Sequence, residues 1–372
     1  MKTLLATALC ALTLVPVQAS AQAQVELDTV GFFRARVLQT ASAGTTTVAG
    51  TDTVTAVQKV DAVVLEGPLA GASISFENDY TPLSTGDTFY ARHTTHTLDS
   101  IDMWSVADPY RLPILGWLIV VFLVLVVLFG GLPGVRGFAS LCGSIVLIFW
   151  LLIPGILGGY SPVLVSIGVA SLIIIVGSYI THGFNKTTTA AVVGMIGTVL
   201  LTGALAYWAV SAAHLTGYAA EESIYLTFDT RGGIDLVGLL FGGIMIGLLG
   251  VLYDIAIGQA IATEELFRAG HTKDRSYVFR RALRIGREHI GALVNTLAIA
   301  YVGASLPLLL LVSNSATTSL AFTLNSELFA TEIIRILIGS IGLVLAVPIT
   351  TLIAVRMLDG TSGGTHAHSH TH

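Results

Sequence analysis

Seven apolar segments of about 20 residues follow one another from Pro113 onward, at roughly 113–131, 137–157, 162–181, 189–210, 236–260, 290–312 and 334–355. A helix of that length crosses the hydrocarbon core of a bilayer. Lipid offers no partner to backbone N–H and C=O groups, so such segments can cross only as helices. The chain of 372 residues is 53% hydrophobic and 11% charged, against about 25% charged in soluble domains. The fold class is therefore a polytopic α-helical membrane protein with about seven transmembrane helices. A net charge of -5 gives no support to nucleic-acid binding.

The N-terminal part reads differently. Residues 1–23 carry Lys2, an apolar run from Leu4 to Val17, and small residues at Ala19-Ser20-Ala21 or Ala21-Gln22-Ala23, the pattern of a signal peptide. An uncleaved anchor helix is the alternative, although the apolar run is short for a span. Leu9 before Cys10 does not fit a lipoprotein signal. With this segment removed, Cys142 stands alone, so no intramolecular disulfide or multi-cysteine metal site can form. Residues 24–111 alternate apolar and polar side chains, as in Phe33-Arg34-Ala35-Arg36-Val37-Leu38 and Ala62-Val63-Val64-Leu65-Glu66. Turn signals at Glu66-Gly67-Pro68, Glu77-Asn78-Asp79-Tyr80 and Ser84-Thr85-Gly86-Asp87 separate them. This predicts a small, barrel-like β-domain of five or six strands. Residues 112–357 form the membrane domain and 358–372 a His-rich tail.

Loop charges predict the orientation. The loop 268–287 holds Arg268, Lys273, Arg275, Arg280, Arg281, Arg284 and Arg287, and Arg136, Lys186 and Arg356 lie on the same side. Opposite them, Glu221, Glu222 and Asp229 stand against Arg231, and Glu327 and Glu332 follow the sixth segment. Basic loops stay in the cytoplasm. The β-domain is thus expected outside and the C-terminus inside. Tyr277, Val278, Phe279, Leu283 and Ile285 interleave the arginines of 268–287, as in an amphipathic helix lying on anionic lipid. A soluble partner docking there is the alternative.

One ordered set of pieces resembles the YibE/F-like family of bacterial multi-span membrane proteins. It comprises Ile153-Pro154-Gly155-Ile156-Leu157-Gly158-Gly159-Tyr160-Ser161-Pro162, His182-Gly183-Phe184-Asn185-Lys186-Thr187-Thr188, and Gly250-Val251-Leu252-Tyr253-Asp254-Ile255-Ala256-Ile257 with Glu264-Glu265. Asn295-Thr296-Leu297, Ala300-Tyr301-Val302-Gly303, Gly339-Ser340-Ile341-Gly342 and Pro348-Ile349-Thr350 complete it. The resemblance runs from the β-domain through the last span. It implies a multi-pass protein of the bacterial cytoplasmic membrane and brings no activity with it.

Asp254 is the residue that most invites a function. It shares a helical stripe with Gly243, Gly247, Gly250 and Gly258. A carboxylate in hydrocarbon costs at least ~2.5 kcal/mol, and glycines on one face permit close helix approach. This predicts a carboxylate buried at a helix contact, roughly 27 Å along the fifth span at 1.5 Å per residue. Glu265 lies three turns further on the same face, and Tyr253 and Glu264 repeat the relation. Asp254, Asn295, Gln259 and Thr296 then form a candidate ion or proton site near the cytoplasmic side, with Asp254 as the titratable ligand. A structural network of hydrogen bonds between the fifth and sixth spans is the alternative. Asn185, His182, Glu264 and Glu265 are polar groups of the cytoplasmic face, with Arg268 in reach of Glu264. Arg335 and Glu332 read as an interfacial ion pair. Pro154, Gly155, Gly158, Gly159, Gly303 and Pro348 interrupt spans, and Pro307 is the kink candidate.

His366, His368, His370 and His372 alternate in the tail and could loosely hold a divalent metal such as zinc, copper or nickel. No cofactor is otherwise implied. Nucleotide-binding Gly-Lys-Ser/Thr loops, His-Glu-x-x-His and Gly-x-Ser-x-Gly are absent from the sequence, so no catalytic residue is assigned and no enzyme is predicted. The leading expectation is a transporter-like protein moving a small ion or solute with Asp254 in the pathway. Its alternative is a non-transport membrane protein whose external β-domain binds an envelope or protein partner.

Overall fold

A computed structural model describes residues 28–48, 50–96, 101–270, 274–313 and 319–358. The expected signal peptide, Lys273 and the tail histidines 366, 368, 370 and 372 lie outside the described residues. The chain divides into two compact units between Phe122 and Leu123.

The first unit holds five strands: β1 (Asp28–Thr47), β2 (Val54–Val64), β3 (Ser73–Asn78), β4 (Thr88–His96) and β5 (Ile101–Pro109). They form one antiparallel sheet in the order β3-β2-β1-β4-β5. The sheet curls, bringing its edge strands β3 and β5 into contact. Period-two alternation sends Ala35 and Val37, Val60, Ala62 and Val64, Ile74 and Phe76, and Phe89 and Ala91 to one buried core. Register shifts after Val37 and Ser42 mark bulges that bend the long β1. Gly67 (φ 86°) and Gly86 (φ 93°) supply the left-handed positions of the predicted turns.

The second unit is helical. Its helices, with the stretch that leads into it, are α1 (Leu112–Leu147), α2 (Ile153–Leu157), α3 (Pro162–His182), α4 (Lys186–Ala212) and α5 (Glu221–Asp229). They continue with α6 (Leu236–Gly270), α7 (Arg275–Ala304), α8 (Leu306–Ser313), α9 (Leu320–Asn325) and α10 (Glu327–Met357). Among the described residues, five helical stretches are long and apolar enough to cross a membrane: Leu112–Leu157, Pro162–His182, Lys186–Ala212, Leu236–Ala269 and Glu327–Met357. The first contains both of the first two predicted segments. Gly131 breaks it with non-helical φ 53° and ψ -146°. A Cβ at Gly134 would fall 2.7 Å from the Val126 carbonyl oxygen, whereas positions eight residues apart in a straight helix are separated by about 12 Å. The chain therefore bends sharply there. A π-helical turn, Ile148–Leu152, joins α1 to α2 ahead of Pro154.

The sixth predicted segment, 290–312, is split between α7 and α8 at Ser305. The break sits just before Pro307, which lacks an N–H and disfavours helical backbone in the residue before it. Pro348, in contrast, lies inside an uninterrupted α10.

Packing centres on α10, which lies against α4, α6 and α7, while α6 also contacts α3 and α4. Close approach is made where a glycine of one helix meets a hydroxyl of the next. A Cβ at Gly194 would fall 2.6 Å from Thr350 Oγ1, one at Gly242 2.4 Å from Ser166 Oγ, and one at Gly342 3.0 Å from Thr202 Oγ1. Small residues at such contacts let dispersion and weak polar forces hold helices together where lipid removes the hydrophobic drive.

Candidate functional site

The buried stripe of α6 runs Phe241, Met245, Leu248, Leu252, Ala256, Gln259 and Thr263. Gly243, Gly247, Gly250, Asp254 and Gly258 lie on the opposite side of the helix, and all five are exposed. This corrects the expectation of a glycine face packed at a helix contact. Large apolar side chains of α6 fill the bundle centre instead. The neighbours supply the small residues there, with Gly203 beside Met245 and Gly342 beside Leu248. A Cβ at Gly243, Gly250 or Gly258 would meet nothing within 4 Å. Asp254 makes no hydrogen bond or ion pair among the described residues.

Three cavities follow one another along this open face. One of about 220 Å³ is lined by Gly243, Thr331, Glu332 and Arg335. The largest, about 540 Å³, lies between α6, α3 and the C-terminal half of α1 and reaches Gly250, Tyr253 and Asp254. The third, about 420 Å³, lies between α6 and α7 and is lined by Asp254, Gly258, Gln259 and His289. Asp254 is common to the second and third. From Gly243 to Gly258 the face rises roughly 22 Å, most of a bilayer's hydrocarbon thickness.

Other polar groups lie beside it. Arg335 donates to Glu332 at 2.8 Å, with its guanidinium carbon 6.0 Å from the Tyr301 ring centroid. A Cβ at Gly247 would come within 2.6 Å of Tyr301 Oη. The predicted Arg335–Glu332 pair is thus formed, at 28% and 21% side-chain exposure.

Of the predicted cluster, only Asp254 and Gln259 line the same cavity. Gln259 is buried, and its amide nitrogen donates to Ala282 O and Thr351 Oγ1, both at 2.7 Å. Its NH2 is thereby tied into helix packing. Asn295 and Thr296 are exposed on α7 and are not part of the cavity lining, and Thr296 Oγ1 donates to Ala292 O at 2.9 Å. Ile285, His289 and Leu293, one turn apart on α7, face the cavity in their place. His289 escaped the sequence reading. Its Nδ1 lies 3.0 Å from Ile285 O.

At the lower end the polar groups are structural. Asn185 caps α4, its Oδ1 accepting from Thr188 N at 2.7 Å and its Nδ2 donating to His182 O at 3.0 Å. The His182 ring lies 6.0 Å from that of Tyr253. Glu264 is buried, accepting from Thr187 Oγ1 and from Arg268 Nη2, the latter at 2.7 Å, and Glu265 accepts from Arg268 Nη1 at 3.1 Å. The Thr187 bond ties the end of α6 to the start of α4, while both Arg268 pairs lie within α6. Breaking a fully buried ion pair costs about 3–5 kcal/mol. Arg268 is 39% exposed, so screening reduces the expected cost of Arg268→Ala to about 1 kcal/mol. A thermal melt of the purified protein will show a modest drop; a drop as large as that of a core cavity would contradict this geometry.

Long apolar helices around an open, carboxylate-bearing groove define a multi-pass membrane protein in contact with the lipid bilayer. A family model described as YibE/F-like protein matches residues 118–360, more than half of the chain, and the protein belongs to that family. The match begins beyond the β-sheet, so the family is shown for the helical part rather than for the β-domain. No curated protein and no solved structure matches the chain.

Proposed function

We propose that the protein moves a small cation or a proton across a bacterial cytoplasmic membrane along the glycine face of α6, with Asp254 as the group that meets the charge. The observation that carries this is the position of Asp254 on the wall shared by two successive cavities. An unpartnered carboxylate on lipid would be costly, whereas one lining a wetted groove is stable and functional. A purely structural network would engage Asp254 in hydrogen bonds, and among the described residues it has none. Proteoliposome flux of protons, alkali cations and small organic ammonium ions tests this reading: flux falling at least about tenfold in Asp254→Asn supports it, and equal flux in wild type and variant overturns it.

The same reading takes seven crossings. The sharp bend at Gly131 supports two crossings within Leu112–Leu157, and α7 with α8 supplies a crossing over 290–312. The basic N-terminal half of α7, with Arg275, Arg280, Arg281, Arg284 and Arg287, then lies on the cytoplasmic side, with the β-domain outside and the C-terminus inside. A reporter active only outside the cytoplasm will work when fused after residue 109 and fail when fused after residue 358; the reverse pattern would invert the topology. On α7, Val278, Ala282 and Gly286 are buried while Arg275, Arg280, Arg281, Arg284 and Arg287 are exposed, which suits a helix held to the bundle with its guanidinium groups on anionic headgroups.

A further inference from the structure

We propose that the 540 Å³ cavity beside Asp254 binds an amphipathic organic cation, a protonated amine with a small hydrocarbon body; this rests on the transport reading above and narrows its substrate. The cavity has room for a molecule of that size. Most of its wall is hydrocarbon, from residues such as Leu141, Ile148, Ile173 and Leu249. Its polar side chains are Asp254 and a few hydroxyls, and among the described residues no Lys, Arg or His lines it.

Three of the four hydroxyls in the lining, those of Ser144, Thr181 and Tyr253, are already committed as donors, and the fourth belongs to Ser140. Ser144 Oγ donates to Ser140 O and Thr181 Oγ1 to Gly177 O, each at 2.9 Å, and Tyr253 Oη donates to Gly177 O at 3.3 Å. Each therefore offers lone pairs rather than a proton. A lining of one carboxylate and acceptor oxygens fits a ligand that brings both positive charge and N–H donors. An anion would meet the Asp254 carboxylate with the Ser140 hydroxyl as its one uncommitted side-chain donor among the described lining residues. A calcium or magnesium ion takes about six or more oxygen ligands, more than a largely apolar wall supplies. A neutral apolar ligand would leave Asp254 desolvated and unpaired. An ammonium group at Asp254 with its carbon chain along the isoleucine and leucine wall satisfies all of these conditions.

The test uses the full chain in lipid nanodiscs, with protein-free nanodiscs as background. Equilibrium binding is measured for 2-phenylethylammonium and for the neutral 2-phenylethanol. The wild type will bind the amine at least about tenfold more tightly than the alcohol, the size expected of one charge-assisted contact. Asp254→Asn will remove that difference. Gly250→Leu, which adds bulk to the cavity where a Cβ meets no neighbour, will abolish binding of both probes while the melting temperature holds. Equal affinity for amine and alcohol in the wild type, or amine binding unchanged by either substitution, overturns the proposal. Asp254-dependent proton or alkali-cation flux without amine binding defeats this inference and leaves the transport reading standing. Amine binding without any flux does the opposite.

Discussion

Gly194→Leu will unfold the helical unit or lower its melting temperature steeply, whereas Gly250→Leu will leave it intact. Both residues lie inside long apolar helices, and by composition they are equivalent. Their surroundings differ. A Cβ at Gly194 would fall 2.6 Å from Thr350 Oγ1 and 2.9 Å from Thr350 Cα. The second atom is backbone and cannot rotate away, so α4 and α10 must separate, and they pack at the centre of the bundle. Overpacking costs about 3 kcal/mol at the upper end of its usual range, and occasionally more. Gly250 has open space where its Cβ would stand, and replacing a helical glycine gains about 0.8 kcal/mol in helix propensity. Thermal melts of the two variants check the contrast. Equal destabilisation would mean that the glycine face of α6 is packed after all.

Asp254→Asn will reduce flux by roughly tenfold to a hundredfold, the factor that loss of one charge-assisted contact of about 1.5–3 kcal/mol produces. Asparagine keeps the volume and removes the charge, so the groove keeps its shape. Because Asp254 makes no hydrogen bond among the described residues, stability should not fall with it. Asp254→Glu, which keeps the carboxylate but moves it by one methylene, will retain part of the flux. A variant that loses flux and melting temperature together would point to a structural carboxylate instead.

Much of the architecture was legible in the sequence because its signals are local. Alternation of Ala35 and Val37 or Phe89 and Ala91 foretold the sheet, and Gly67 and Gly86 its turns. Asn185 read as a polar end of a span and proves to be the cap of α4. The packed face of α6 was not legible. Span helices are apolar all round, so no polar stripe marks the outer side. Gly242 packs on Ser166 while its neighbour Gly243 stands open, and one residue is a 100° turn of the helix. Spacing alone placed Gly243, Gly247, Gly250, Asp254 and Gly258 on one face and turned that face into the bundle, whereas it is exposed. The same limit hid His289, 35 positions from Asp254 in the chain. It joins Asp254 at one cavity only through the packing of α7 on α6.

The central claim is that the Asp254 face of α6 is a water-bearing groove, and thiol accessibility in intact membranes tests it most directly. In a chain whose native cysteines are replaced by serine, Gly250→Cys and Gly258→Cys will react readily with a water-soluble, charged thiol reagent. Ala256→Cys, on the packed side of the same helix, will stay unreactive until the protein is denatured. If the cysteines at 250 and 258 prove as inert as the one at 256, the face is dry, and no ion or amine travels along it.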